Sequence, residues 1–369
     1  MPCPPKISLR AVTGWLVFCA TLPTLRGGLL DGWRNRMQSI VPRSYVCRPA
    51  ATPIVIDGRP DDAAWAAAPW TADFVDIEGD AKPKPRFRTR AKLLWDDRYL
   101  YIAAELEEPH VWGTLTTHDT VIFNDPDFEV FLDPDGDTHG YYEFEMNALN
   151  TGWDLQLVKP YIDGGPARNE WEIPGLQTAV HVRGTINNPA DKDLGWTLEI
   201  AMPWAALGPP PGRSGPPGEG ERWRLNFSRV EWHVTTEDGV TRKVPKTPED
   251  NWVWSPQGVV DMHRPEMWGV LQFTHRPSGE AVTVAPIPGK AARDAVLAVY
   301  YAQVDFRKAQ GRWALTLDEL GPVAGTLAPA PSVPTLRATS DGYECTARFA
   351  DGAVQRTWRI RQDRWLRLE

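Results

Sequence analysis

Between positions 44 and 275, apolar and polar residues alternate in short runs. In Phe87-Arg88-Thr89-Arg90-Ala91-Lys92-Leu93 the even positions are basic and the odd ones apolar or small. Trp196-Thr197-Leu198-Glu199-Ile200-Ala201-Met202 keeps a strict alternate apolar set. A period of two buries one face and wets the other, the signature of an antiparallel sheet. Leu100-Tyr101-Ile102-Ala103-Ala104 and Phe128-Glu129-Val130-Phe131-Leu132 read as two further strands. Turn residues separate these runs at Asp96-Asp97, Pro134-Asp135-Gly136-Asp137 and Asn187-Asn188-Pro189. No long stretch with a 3.6-residue period interrupts the region, and a β-sandwich is the expected outcome.

The pattern changes after position 275. Residues 276–289 hold three prolines and two glycines and read as a linker. Residues 291–310 then place Ala295, Val299, Ala302 and Phe306 on one helical stripe, and Gly311 supplies a helix stop. From Leu336 onward, β-runs are split by Asp341-Gly342, Asp351-Gly352 and Gln362-Asp363, two of them strong hairpin signals. The expected architecture is mainly β: an antiparallel sandwich over 44–275, the linker, and a small α+β C-terminal domain over 290–369. Within the sandwich, residues 208–220 form a proline- and glycine-rich excursion that fits neither helix nor central strand.

Residues 1–43 read as an export segment followed by a spacer. Lys6 and Arg10 precede an apolar run from Ala11 to Leu25, too short to span a membrane comfortably. The expected location is secreted, periplasmic or at the cell surface, with an uncleaved N-terminal anchor as the alternative. The chain of 369 residues carries a net charge of −8, which speaks against nucleic acid or an anionic membrane as partner. Cys3, Cys19, Cys47 and Cys345 form no C-x-x-C pair, so neither a thiolate metal site nor a redox motif is expected. Cys47 and Cys345 are either two free thiols or one long-range disulfide.

The candidate chemistry is that of a binder. Hydrolase, metalloprotease, Walker and dinucleotide motifs are missing, and a pair of acids among 48 is too unspecific to argue a glycosidase. Eighteen tryptophans stand out instead. Trp95, Trp196, Trp204 and Trp223 share parity with aliphatic runs and belong to the core. Trp112, Trp171, Trp232, Trp252, Trp254 and Trp268 fall in loops or on polar parity and are ligand candidates, with Phe123, Trp153 and His263 beside them. Glu143, Glu145 and Asn147 alternate with Phe144, Met146 and Ala148, giving one carboxylate-and-amide face. Asn226, Ser228 and Trp232 share the polar side of another strand, whereas Arg229 and Glu231 reach that side only if a bulge resets the register. These groups form either a cleft for sugar hydroxyls or cross-strand ion pairs with Arg88 or Arg90. Asp133, Asp135 and Asp137 stand at alternate positions, as in calcium loops, but lack the EF-hand glycine and terminal glutamate; they are a cation site or a polar hairpin loop. Met262-His263-Arg264-Pro265-Glu266-Met267 admits a haem-binding electron-transfer reading through Met and His ligands. A sandwich acting only as a structural or interaction domain is the remaining class.

An ordered set of segments carries a family resemblance: Ile54-Val55-Ile56-Asp57-Gly58, Asp61-Asp62-Ala63-Ala64-Trp65, Leu94-Trp95-Asp96-Asp97-Arg98-Tyr99-Leu100-Tyr101, Asp127 to Asp133, Gly195-Trp196-Thr197-Leu198-Glu199, Trp254-Ser255-Pro256 and Trp268-Gly269-Val270-Leu271-Gln272-Phe273. Together they resemble the family 9 carbohydrate-binding modules. The resemblance implies a non-catalytic β-sandwich that binds oligo- or polysaccharide, accompanies glycoside hydrolases in polysaccharide catabolism or is exported alone, and holds structural calcium. Members clamp a terminal sugar between two tryptophans. The matching positions here are Phe123 and either Met262 or His263, so this chain departs from the clamp.

Overall fold

A computed structural model describes residues 28–207, 215–321 and 333–369. The export-signal reading of the first 26 residues and the first half of the 208–220 excursion lie outside these.

The alternating runs become strands close to where the pattern puts them: Thr89–Trp95, Tyr99–Leu106, Asp127–Asp133, Tyr141–Asn147, Trp196–Pro203 and Arg222–Glu231. They join one curled sheet of 13 strands. One half runs Ala167–Arg168, Gly152–Leu157, Tyr141–Asn147, Asp127–Asp133, Arg222–Glu231, Gly269–Phe273; the other runs Thr89–Trp95, Tyr99–Leu106, Trp196–Pro203, Gln177–Val182. Ser44–Pro49 joins the halves and departs from the expected antiparallel plan. Its first four residues pair in parallel with Val270 to Phe273, and Arg48 and Pro49 then pair in parallel with Leu94 and Trp95. The sheet therefore folds over itself into two layers.

Between the layers lies the core, filled by alternate residues of both halves: Leu93, Ile102, Ala104, Leu198 and Ile200 against Phe128, Val130, Leu132, Phe144 and Met146. Trp95, Trp196, Trp204 and Trp223 are buried there as their parity requires. Each buried aromatic of this size stabilises the fold by about 3 kcal/mol relative to exposure.

The C-terminal part is a helix, Lys290–Gln310, on a four-stranded meander of Thr335–Ala338, Tyr343–Asp351, Val354–Arg361 and Leu366–Leu368. Ala295, Val299 and Ala302 are buried against Tyr343, Cys345, Ala347 and Ile360, and Gly311 caps the helix at φ 73°. Residues 29–37, read from sequence as a spacer, are instead part of this second core. Trp33 is 1% exposed and stacks on Tyr301 at 5.3 Å. Asp305 accepts hydrogen bonds from the amides of Leu29 and Leu30 at 2.8 and 2.9 Å, satisfying helix-start donors. Cys47 and Cys345 are both free and buried, in different cores.

Candidate functional site

The register of two strands builds the site floor. Glu129 faces Glu145, Phe131 faces Glu143 and Asp127 faces Asn147 across the Asp127–Asp133 and Tyr141–Asn147 pair. On the other side, Ser228 is the partner of Glu129. Because Phe128, Val130, Phe144 and Met146 fill the core, the intervening carboxylates must all point to the outer face of the same layer. Asp127, Glu129, Glu143 and Glu145 meet there, none more than 5% exposed. Burial pushes the Glu129 carboxyl up to about 7. Burial and the neighbouring carboxylates drive Asp127, Glu143 and Glu145 well above the ordinary range. The expected ion pairs with Arg88 and Arg90 do not form at this face. Arg90 binds Glu105 at 2.7 Å and Arg88 binds Glu107 at 3.0 Å, both on the other layer.

Aromatic side chains rim this floor. Phe123 sits in the short turn Ile122–Asn124, 37% exposed, and its amide donates to Glu145 Oε2 at 3.0 Å. Trp232 donates its indole N–H to the Phe123 carbonyl at 3.0 Å and carries the Lys243 ammonium over its ring at 3.4 Å. Trp153 is the cross-strand neighbour of Glu145 and is half-buried. Tyr161 is 49% exposed, and the charges of Glu143 and Glu145 act on its hydroxyl. It packs edge-on against His263 with ring centroids 4.5 Å apart. The structure thus brings together Phe123, Glu145, Trp153, Trp232 and His263 of the candidates read from sequence.

The other candidates are structural. Asn147 bonds the Leu115 carbonyl and Asp125. Asn226 bonds the Ser255 carbonyl and accepts from the Ser255 amide. Arg229 and Glu231 keep core parity, with no bulge to turn them outward: Arg229 is 1% exposed and joins Glu108 and Glu231 at 2.9 and 2.6 Å. Trp252 and Trp254 are in the sandwich core, and Trp112 is 6% exposed. Trp171 stacks on Tyr142 at 4.8 Å, against the core. Trp268 is fully buried and donates to the Met262 carbonyl at 2.8 Å.

Two further motifs have a definite setting. His263 is ringed by Phe131, Tyr141 and Tyr161, with Nδ1 2.9 Å from the Tyr141 hydroxyl; burial holds the ring neutral, down to about 4. That is a packed histidine rather than an open axial ligand. In the acidic loop, both Asp133 oxygens accept loop amides, from Gly136 at 3.0 Å and Thr138 at 2.9 Å. Asp137 Oδ2 accepts from Trp365 at 2.9 Å and Arg367 at 3.0 Å, and Oδ1 from the His139 amide at 2.9 Å. These bonds tie the sandwich to the C-terminal meander, and one oxygen each from Asp133, Asp135 and Asp137 lies within 4.8 Å of the others.

Sequence reasoning missed Glu129, Asp127, Tyr161 and Lys243. The first two were visible in Asp127-Phe128-Glu129-Val130-Phe131, whose alternation is the same as that of residues 143–147. Tyr161 and Lys243 carry no local signal, because only the tertiary fold brings their segments over the sheet.

Residues 56–218 match the family model described as "Carbohydrate family 9 binding domain-like". This match, over less than half of the chain, makes the segment similar to the family 9 carbohydrate-binding domains. Its sheet is completed by strands beyond the match, since Asp127–Asp133 pairs with Arg222–Glu231. The exoglucanase XynX of Acetivibrio thermocellus is 24% identical over 153 residues, which is 42% of this chain and 12% of that protein. Among solved structures, a family 9 carbohydrate-binding module from Caldicellulosiruptor kristjanssonii in complex with cellotriose is 16% identical, with a TM-score of 0.40 over 66% of this chain and 100% of that one. A protein from Bacteroides uniformis described as carbohydrate-binding is 17% identical, with a TM-score of 0.46 over 63% of this chain and 100% of the other. Among the described residues, no helix is long and apolar enough to cross a membrane.

Proposed function

We propose that the chain is an exported, non-catalytic saccharide-binding protein that works alongside glycoside hydrolases, and that the sugar docks on the outer face over Glu143 and Glu145. The observation that carries this reading is the pair of exposed aromatic rings, Phe123 and Tyr161, flanking that carboxylate pair. Flat apolar faces suit the C–H faces of a sugar ring, and carboxyl oxygens suit its hydroxyls. Phe123 stands at the first clamp position that the family resemblance implies. At the second, Tyr161 takes the wall position, braced by His263, whose own ring is packed below it. Trp232, fixed to the Phe123 carbonyl, closes the side.

The test is a glycan array followed by calorimetry with gluco-, xylo-, manno- and galacto-configured oligosaccharides. Phe123→Ala and Tyr161→Ala should each weaken binding at least tenfold, since base–ring or sugar–ring stacking losses of about 1.4 kcal/mol correspond to a factor of ten. Tyr99→Ala, in a groove of about 440 Å3 on the opposite layer, should have no effect. Absence of binding across the panel, or binding lost only with Tyr99, would reject this docking face.

A further inference from the structure

A histidine and three acids from three separate segments meet on the other side of the sheet from the carboxylate floor. His118 and Asp119 lie in the loop before the turn Ile122–Asn124, Asp154 in the strand Gly152–Leu157, and Glu172 directly after Trp171. Asp154 is the register partner of the core residue Phe144, so its carboxylate leaves the sheet on the side opposite to Glu145. His118 Nε2 stands 3.3 Å from Asp119 Oδ1, 3.5 Å from Asp154 Oδ1 and 3.2 Å from Glu172 Oε2. One ligand atom from each of the four lies within 4.8 Å of the others.

The far nitrogen of the ring fixes its tautomer. Nδ1 is 2.9 Å from the Gly152 carbonyl, which can only accept, so Nδ1 carries the hydrogen. In the neutral ring Nε2 is then a lone pair aimed at three carboxylate oxygens. Lone pair and carboxylates repel, and the arrangement calls for either a proton or a metal ion at Nε2. A backbone carbonyl holding the other ring nitrogen is what orients a metal-bound histidine. Asp154 decides between the two. It is 1% exposed; its Oδ2 accepts from the Ile173 amide, but its Oδ1 is buried with no hydrogen bond. A single N–H on Nε2 is directed to one acceptor, and Glu172 at 3.2 Å takes it, which leaves Asp154 Oδ1 aimed at the cluster without a donor. Burial already pushes the Asp154 carboxyl up to about 6. A metal ion among the four groups serves every oxygen at once. The separations fit one: ligands about 2.0–2.1 Å from a tetrahedral zinc stand about 3.3–3.4 Å apart.

We propose that His118, Asp119, Asp154 and Glu172 form a site for a divalent transition-metal ion of the zinc class. An imidazole among carboxylates suits such an ion, whereas calcium takes about six to eight oxygens. His118, Asp119 and Glu172 are exposed, so an ion reaches the site from solution. Once bound, it would fasten the loop that leads to Phe123 onto the edge of the sheet. This stands whether or not the opposite face takes a sugar.

The experiment uses the tag-free full chain stripped with chelator at pH 7.5. Zinc chloride in calorimetry should titrate one site at sub-millimolar concentration and raise Tm. Cobalt(II) should give the intense visible absorption of tetrahedral coordination, and zinc, but not calcium, should abolish it. His118→Gln and Glu172→Gln should each weaken zinc binding at least tenfold and lose the zinc-dependent Tm rise. Both replaced side chains are exposed, so in chelator each variant should melt as the wild type does. His233→Gln, an exposed histidine beside Asp250, and Asp135→Asn, in the acidic loop, should bind zinc as the wild type does. Absence of saturable zinc binding would overturn the proposal and leave a protonated imidazole among the acids. So would binding that survives both His118→Gln and Glu172→Gln, that disappears with His233→Gln or Asp135→Asn, or that calcium displaces.

Discussion

Replacing Arg364 by methionine removes the charge on which the junction of the two cores turns. Arg364 is fully buried and reaches Asp163 at 3.1 Å, both oxygens of Glu266 at 3.1 Å, and the His263 carbonyl and Tyr300 hydroxyl at 3.2 Å. Its own carbonyl accepts from Thr138 of the sandwich at 2.8 Å. Glu266 and Asp163 have side-chain exposures of 0% and 3%, so the substitution strands two carboxylates away from water. Breaking a buried pair on one side costs about 3–5 kcal/mol. Some relief remains, because Tyr301 still donates to Glu266 and Arg264 still lies close by. The expected loss is therefore near the lower end, about 3 kcal/mol. Urea titration followed by both tryptophan fluorescence and far-ultraviolet circular dichroism measures it. The double variant Arg364→Met/Glu266→Gln should regain about 1–2 kcal/mol, the coupling expected of residues in one network. A loss under about 1 kcal/mol, the range of an exposed pair, would refute the reasoning.

Three further outcomes follow from particular residues. His263 is held down to about 4 from an ordinary 6.5, so its contribution is complete above pH 6.5 and is lost as pH falls toward 4. With part of the ring still accessible, the wild type should lose about 2 kcal/mol more than His263→Gln between pH 7 and pH 4; parallel pH profiles would contradict this. Trp33→Ala should destabilise the C-terminal core by about 3–5 kcal/mol, as large buried aromatics do, and an effect under about 1 kcal/mol would return residues 29–37 to the role of spacer. Burial pushes both the Cys47 and Cys345 thiols up, so site-resolved alkylation should leave both unmodified in the native protein and label both in urea; rapid native labelling of either would show that its core is open.

The strands were legible because burial imposes a period of two on any sheet with one wet face. Residues 87–93 and 196–202 carry that period, and residues 89–93 and 196–202 are strand in the fold. The parallel joining strand was not legible, since Ser44-Tyr45-Val46-Cys47 reads the same in either direction of pairing. The tryptophans divide the same way. Parity placed Trp95, Trp196 and Trp223 correctly because each lies inside a long strand, and Trp204 because it directly follows one. It failed for Trp252 and Trp254, at the end of the short strand Asp250–Val253, and for Trp268, after the turn Pro265–Met267, where the run is too short or irregular for alternation to have a fixed origin. Glu143 and Glu145 were legible as a polar face, but a strand alone cannot say what covers that face. Phe123, Tyr161 and Trp232 arrive from three separate segments, and only the fold sets them over one floor.

The two acidic groups show how little spacing alone says about what faces a carboxylate. Asp133, Asp135 and Asp137 read in sequence as a cation site or a polar hairpin loop. In the fold, Asp137 also takes a guanidinium, Arg367, which lies 230 positions away and fixes the C-terminal meander to the sandwich. Asp127, Glu129 and Glu145 have no comparable spacing motif because they come from two strands. Yet theirs is the group that, among the described residues, has no ion pair, with only Lys243 within electrostatic range of Asp127. Local pattern can announce that a positive charge is required, but the choice between a side chain and an ion is made by whatever the rest of the fold brings within a few ångströms. For the loop, the fold brings Arg367 and Trp365. For the sheet face, it brings Phe123, Tyr161 and the Ser228 hydroxyl, none of which neutralises a carboxylate. That difference, rather than the number of acids, separates the two groups: a guanidinium lies against the loop, and aromatic rings lie over the sheet face.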